Sequence, residues 1–211
     1  MRLAPTAWRY ALPAFLLAGP VGFLSPVATL FALGLGCAIL LFFRDPDRVP
    51  PESGILSPAD GRVSVIREEG NRVRVGVFMN VTDVHVNRAP LAGHVESVEH
   101  EPGNHRPAFS KESDNNEKVH VRFSECDLTL IAGAFARRIH PYVEGGETLE
   151  RGERLGHIAF GSRADVLLPE SFDSAAVLVS KGERVRAGET VLARSDGTDS
   201  VNEDTSSQSL E

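Results

Sequence analysis

The sequence predicts a mainly β fold: a barrel-sandwich-like domain with few helices, placed behind an N-terminal hydrophobic hairpin. Three observations carry this. Residues 10–43 contain no charged side chain. Residues 54–193 show short period-two alternations broken by glycines and charged turns, the signature of strands. A ten-residue pattern also occurs twice in the C-terminal half, Gly146-Glu147-Thr148-Leu149-Glu150-Arg151-Gly152-Glu153-Arg154-Leu155 and Gly182-Glu183-Arg184-Val185-Arg186-Ala187-Gly188-Glu189-Thr190-Val191.

The uncharged run is longer than the ~20 residues one membrane-spanning helix requires. Ser25-Pro26 divides it into two apolar stretches, each slightly short of a comfortable span. Arg2 and Arg9 precede the run, and Arg44 and Arg48 follow it. Positive charge on both flanks places both ends in the cytoplasm, as in a hairpin dipping into the bilayer. A secretory signal is disfavoured, because no small-residue cleavage site is followed by a polar start. Gly34-Leu35-Gly36-Cys37 is not a lipoprotein box, since the apolar run continues past the cysteine. Residues 1–48 are therefore a membrane-associating segment with its exit, because Pro46, Pro50 and Pro51 cannot continue a helix.

The domain itself spans residues 49–194. Strands are expected at 61–67, 72–80, 93–100, 118–123, 127–132, 156–160, 164–168, 176–179 and 190–193, with a helix at 134–138. Nine short strands argue for a sandwich or barrel. In both halves of the repeat, glycines supply positive φ at tight turns and the intervening aliphatics face inward. Residues 195–211 carry five acids and no base, and read as a disordered, solvated tail. That tail holds most of the formal charge of −7 and leaves the remainder near neutral. No basic stripe interleaved with aromatics is present, which argues against nucleic acid as the partner. Cys37 lies in the apolar run and Cys126 in a strand, so no disulfide framework is expected. Lys111, Lys118 and Lys181 are the only lysines, which leaves few residues able to carry a lysine-bound cofactor.

Between the repeats lies Ile158-Ala159-Phe160-Gly161-Ser162-Arg163-Ala164-Asp165-Val166-Leu167-Leu168-Pro169. Alone, Gly161-Ser162 would be a turn between strands. In context, residues 146–169 resemble the C-terminal signature of the short (archaeal-type) phosphatidylserine decarboxylases, whose Gly-Ser bond is the self-cleavage site. Phe42-Phe43-Arg44-Asp45-Pro46, Ser57-Pro58-Ala59-Asp60-Gly61, Met79-Asn80-Val81-Thr82-Asp83-Val84-His85-Val86-Asn87-Arg88-Ala89-Pro90 and Gly133-Ala134-Phe135-Ala136-Arg137-Arg138-Ile139 resemble the same family, in the same order.

The resemblance implies a lyase that acts on phosphatidylserine at the cytoplasmic face of the cell membrane, giving phosphatidylethanolamine. Amino-acid decarboxylation needs an electron sink beside the departing carboxylate, usually pyridoxal phosphate on a lysine. Here the implied sink is a pyruvoyl group made from Ser162, which forms a Schiff base with the substrate amine; no metal and no pyridoxal phosphate are implied. Ser162 Oγ attacks the Gly161 carbonyl, and the zymogen splits into fragments 1–161 and 162–211 that remain paired. Glycine tolerates the bent backbone such an attack requires, and a serine hydroxyl needs a positioned base.

Asp60 and His85 are the candidates for that base, with Asp83 either orienting His85 or capping its turn. His85 is also the candidate acid for the decarboxylated carbon, because a histidine near its free pKa can serve at neutral pH. The larger bacterial relatives read D-x-H-x-x-H-x-P here; Arg88 replaces the second histidine, which leaves the step served by His85 open. His105 and Arg137 are candidate substrate-binding residues.

Three rivals compete. A zinc endopeptidase on a similar fold would need a His-x-His pair, which is absent. A biotin or lipoyl carrier would present Lys181 at a hairpin tip, but leaves Asp60, His85 and Gly161-Ser162 without a purpose. A non-catalytic membrane-bound β-domain leaves them equally unexplained. Within the family reading, archaetidylserine is the alternative substrate, since its serine head group is the same.

Overall fold

The structure is a computed structural model that describes residues 2–104, 115–133, 138–159 and 162–194. His105, Arg137, Gly161, nearly all of the expected 134–138 helix and the 195–211 tail lie outside those residues.

The N-terminal run forms two helices, α1 (Ala7–Gly22) and α2 (Pro26–Phe42). The break falls where the sequence placed it. Ser25 Oγ accepts from Ala28 N at 3.4 Å, and Pro26 takes the first helical position, where no backbone N–H is required. The helices meet along small residues. Ala11, Ala14 and Ala18 are buried on α1, as are Ala32 and Gly36 on α2. A Cβ on Gly36 would lie 2.6 Å from the Phe15 ring, so only glycine permits this approach. Neither helix, nor any other among the described residues, is long and apolar enough to cross a membrane. Their outward faces nonetheless carry Trp8, Leu12, Leu16, Leu17, Leu30, Phe31 and Leu35, all exposed.

Both ends of the helix pair return to one place. Strand β1 (Arg2–Leu3) pairs antiparallel with β2 (Arg44–Asp45). Ala4, Ala7, Phe42 and Phe43 then pack on Val84, Val86 and Ala159 of the β domain. Buried charge reinforces the junction. Arg88 donates to Asp45 Oδ1 and to the carbonyls of Pro46 and Gly152, each at 2.9 Å, and Arg154 pairs with the other oxygen of Asp45. Next along the chain, Arg48 holds Asp60 and Glu189.

The domain is β throughout: β3 (Ile55–Leu56), β4 (Gly61–Glu69), β5 (Arg72–Met79), β6 (Val86–Arg88), β7 (Gly93–Glu101), β8 (Lys118–Phe123), β9 (Asp127–Ala132), β10 (Ile139–Pro141), β11 (Thr148–Leu149), β12 (Arg154–Ile158), β13 (Ser162–Leu167), β14 (Arg184–Val185) and β15 (Val191–Ala193). An eight-stranded antiparallel sheet runs β11-β7-β8-β9-β13-β5-β4-β14. Beside it lie a three-stranded sheet, β10-β12-β6, and the pair β15-β3. Register shifts at Val63/Val65 in β4 and Val95/Ser97 in β7 bend the large sheet, which curls into a half-barrel. Its concave face buries Val63, Val75, Val77, Val121, Leu128, Leu130, Ala164 and Val166, the alternate residues of each strand. Cys126 is buried and Cys37 exposed, and both are free.

The repeat behaves as its pattern requires. Gly146, Gly152, Gly182 and Gly188 all have positive φ, and Leu149, Leu155 and Val185 are buried. Gly152 and Gly188 face each other across the two copies: a Cβ on Gly188 would come within 3.6 Å of Gly152. Three expectations need correction. Residues 176–179 are not a strand; Asp173 caps a 3-10 turn at Ser174–Ala176, leaving Val177 a single bridge to Ala193. The strands expected at 156–160 and 164–168 each start two residues earlier, at Arg154 and Ser162. The short strands β3, β6, β10, β11 and β14 were not foreseen, because two or three residues are too few for alternation to register.

Candidate active site

Ser162 opens β13, the strand flanked by β5 and β9. Its main chain lies between Met79 and Ala132, and its side chain has no exposed surface. The hydroxyl donates to Met79 Sδ at 3.7 Å, a weak acceptor. The 57–61 turn packs on the same spot. Gly61 has φ +148°, and a Cβ there would sit 2.1 Å from the Phe78 carbonyl, so no other residue lets the turn approach β5 this closely.

His85 lies between β5 and β6, with 2% of its surface exposed and its ring 4.4 Å from that of Phe42 on α2. Nδ1 lies 2.9 Å from the Asp83 carbonyl. A carbonyl can only accept, so Nδ1 carries the proton and Nε2 is the basic nitrogen. Burial lowers the pKa to about 4, so the ring is neutral at neutral pH. This corrects the sequence-based expectation of a histidine near its free pKa: in this setting His85 is a base, not a ready acid.

At Asp83 the backbone and the side chain are engaged separately. Its carbonyl fixes the His85 tautomer, while its carboxylate caps the turn, accepting from Asn80 N at 2.8 Å and Arg184 at 3.1 Å. Asp60 is committed elsewhere. Arg48 binds both its oxygens, at 2.9 and 2.8 Å, and the Ala187 N–H donates to one of them. The structure therefore brings Asp83 and His85 together, and keeps the Asp60 carboxylate out of hydrogen-bond reach of Ser162. Arg88, which replaces the second histidine, is spent on the Asp45 junction.

Several residues of the site were missed. His157, on β12, stacks on His140 with ring centroids 4.6 Å apart, and lies 2.7 Å from Thr6 Oγ1 and 2.8 Å from the Tyr142 hydroxyl. Burial, with His140 and His85 nearby, lowers its pKa to about 4. Neutral imidazole has one donor and one acceptor nitrogen, so one hydroxyl must donate to it and the other accept. Asn87 is fully buried beside Met79. For His157 the available signal was polarity, since it stands between Gly156 and Ile158 in an apolar strand segment; Asn87, between Val86 and Arg88, carried no such signal. Beside the Asp83 turn opens a cavity of about 190 Å³ lined by Gly61, Arg62, Phe78, Asn80, Thr82, Asp83 and Arg184. Arg44, at the end of the helix pair, donates to the Thr82 carbonyl on its rim. Among the described residues, no group of three or more His, Cys, Asp or Glu side chains is placed to hold a metal.

The arrangement is thus a β domain with a buried serine resting on Met79, and a buried neutral histidine packed under Phe42 at the end of an apolar helix pair. Residues 36–193 match the model of the phosphatidylserine decarboxylase family. A provisionally named archaetidylserine decarboxylase proenzyme of Halobacterium salinarum is 59% identical over 191 residues, covering 90% of this chain and 97% of that protein. A phosphatidylserine decarboxylase proenzyme of Streptomyces griseus is 49% identical over 165 residues, 76% of this chain and 75% of its own. Another provisionally named archaetidylserine decarboxylase proenzyme, from Methanosarcina mazei, is 41% identical over 177 residues, 81% of each. The chain belongs to the phosphatidylserine decarboxylase family, a family of carboxy-lyases.

Proposed function

We propose that this chain is a self-processing proenzyme that, once cleaved at Gly161-Ser162, decarboxylates phosphatidylserine to phosphatidylethanolamine at the cytoplasmic face of the membrane. The observation that carries the reading is the placement of Ser162: fully buried, at the first residue of a central strand, inside the segment that matches the family.

Self-cleavage follows from the chain's own groups. His85 Nε2 receives the Ser162 hydroxyl proton, and Oγ attacks the Gly161 carbonyl carbon, turning the amide into an ester. Elimination expels the Gly161 carboxylate with that oxygen and leaves a dehydroalanine. Water converts this to pyruvoyl plus ammonia. The residues present fit such a group: it is small and neutral, and the Ser162 side chain is fully buried with its hydroxyl on the uncharged Met79 sulfur. When in place, the pyruvoyl supplies an electron-withdrawing carbonyl for the carbon that loses carbon dioxide.

The remaining residues position and exclude. Asp83 holds the His85 tautomer. Asp60, clamped by Arg48, fixes the turn whose Pro58 carbonyl anchors Asn87. Phe42 and Phe43 keep water from His85 and His157. The cavity beside Asp83, with Arg62, Arg184 and Arg44 around it, suits a lipid phosphate, while His105 and Arg137 remain candidate contacts for the same head group.

The helix pair supports membrane attachment without crossing. At 1.5 Å per residue, helices of 16 and 17 residues reach roughly 25 Å, less than the ~30 Å hydrocarbon core. Their shared tip presents Phe23 and Leu24, 95% and 86% exposed, and their base carries Arg2, Arg9 and Arg44. That is the profile of a hairpin immersed from one side.

Intact mass spectrometry tests the core claim. Fragments 1–161 and 162–211 are expected, the smaller blocked to Edman degradation, and borohydride with phosphatidylserine should leave lipid mass on the smaller one. A single intact chain, or lipid mass on Lys111, Lys118 or Lys181, would sink it. Archaetidylserine is the second reading, favoured by the 59% identity to the Halobacterium protein. Vesicles of diacyl and of ether-linked serine lipid, compared by kcat/KM, separate the two.

A further inference from the structure

Among the described residues, one buried side-chain oxygen has no hydrogen-bond partner: Asn87 Oδ1. The carboxamide cannot be turned to relieve it. Asn87 Nδ2 lies 3.3 Å from the Pro58 carbonyl and 3.8 Å from Met79 Sδ, both of which can only accept. The amide end is therefore fixed on Pro58, and the carbonyl end is left without a donor in a residue with no exposed surface. A buried acceptor in that state is costly, and it persists where a partner arrives later. The Ser162 hydroxyl rests on the same sulfur, at 3.7 Å, so Asn87 and Ser162 flank one atom.

We propose that Asn87 receives the substrate's primary amine, its side-chain carbonyl accepting one N–H and aiming the nitrogen at the group formed from Ser162. This rests on the decarboxylase reading given above. The hydroxyl of Ser162 cannot be the lasting partner, because it is lost on maturation, whereas every substrate molecule brings new N–H donors. The chemistry also favours a neutral acceptor. A carboxylate would stabilise the ammonium form, which has no lone pair for attack, while an amide carbonyl orients the amine and leaves its lone pair available. The nearby carboxylates are withheld accordingly, Asp60 by Arg48 and Asp83 by Arg184 and Asn80 N.

Asn87→Leu and Asn87→Asp, made in the full-length chain and assayed on phosphatidylserine vesicles, test this. Activity is expressed per cleaved chain, with the small fragment quantified by mass. Asn87→Leu should lower kcat/KM roughly 10- to 100-fold and slow borohydride fixation of lipid onto the small fragment to match. Asn87→Asp should move the rising limb of kcat/KM against pH to higher pH, since its carboxylate holds the amine protonated; a merely structural role would not displace that limb. An unchanged kcat/KM in cleaved Asn87→Leu, or an unmoved limb in Asn87→Asp, overturns the proposal. If Asn87→Leu does not fold or cleave, the near-isosteric Asn87→Asp decides alone. Wild-type chain that neither cleaves nor decarboxylates would sink the decarboxylase reading and this one with it; normal wild-type behaviour with indifferent variants sinks only this one.

Discussion

At Ser162 the chain buries a hydroxyl where water cannot reach it, resting on a thioether rather than on a base. Ser162→Ala should therefore give a folded, single, inactive chain by mass spectrometry. His85→Ala removes the basic Nε2 and should slow splitting by roughly 10²- to 10⁴-fold, the usual contribution of a positioned base. Asp60→Asn should act more mildly, because its carboxylate serves the 57–61 turn through Arg48; splitting as slow as in His85→Ala would contradict that. The buried histidines also set a pH dependence. His85 and His157 have pKa values of about 4 in the fold against 6.5 when unfolded. Between those values the unfolded chain binds more protons, so stability is full above pH 6.5 and declines as pH falls toward 4. Each group contributes up to about 3 kcal/mol to that loss. Denaturant midpoints measured from pH 7.5 to 4.5 should show the decline, and His157→Gln should flatten it.

At the scale of elements, the helix pair is joined to the domain by a short salt-bridged segment. Arg88 and Arg154 converge on Asp45, which is 3% exposed, and removing one partner leaves buried charge unpaired. Asp45→Asn is expected to cost about 3–5 kcal/mol in unfolding free energy, the usual penalty for breaking a buried pair, and to lower the thermal midpoint accordingly. An unchanged midpoint would mean that the β1-β2 pairing and the Phe42-Phe43 packing hold the junction by themselves. Within the pair, Gly36→Leu would drive a side chain into the Phe15 ring and should weaken vesicle binding by splaying the helices, while the β domain of the same full-length variant keeps its strand content by circular dichroism.

For the whole molecule, the consequence is topological. Both ends of the helix pair meet at β1-β2, and the residues around that junction pack on Val84 and Val86, which flank His85 in the chain, and on Ala159, just after β12. A lipid drawn along the exposed apolar faces would thus reach the site head group first, its tails still in the bilayer. Reporter fusions before residue 1 and after residue 48 should both read cytoplasmic; opposite sides would rule out a one-sided hairpin. The proposed cleavage at 161–162 would fall between β12 and β13 and leave β13 of the small fragment hydrogen-bonded between β5 and β9. The two fragments should co-purify until denatured, because separating them would open the large sheet at its centre.

Local signals settled much of this protein without reference to its fold. The charge-free run, the Ser25-Pro26 break, the alternating strands and the paired glycines each act over a few residues, where φ preferences and burial periodicity are fixed by neighbours in the chain. Gly161-Ser162, Asp83 and His85 stood out as candidates only through several motifs that together resemble one family, not through any local signal of their own. What no local reading could supply was who meets whom. That His85 is held neutral depends on its burial, with α2 packing Phe42 against its ring. That Asp60 belongs to Arg48, and Arg88 to Asp45, depends on the exit segment crossing the domain. That Asn87 is left with an unpartnered oxygen beside Ser162 depends on β5, β6 and the 57–61 turn converging on Met79. These are long-range hydrogen bonds and desolvation, properties of the packed chain, so only the tertiary structure decided them.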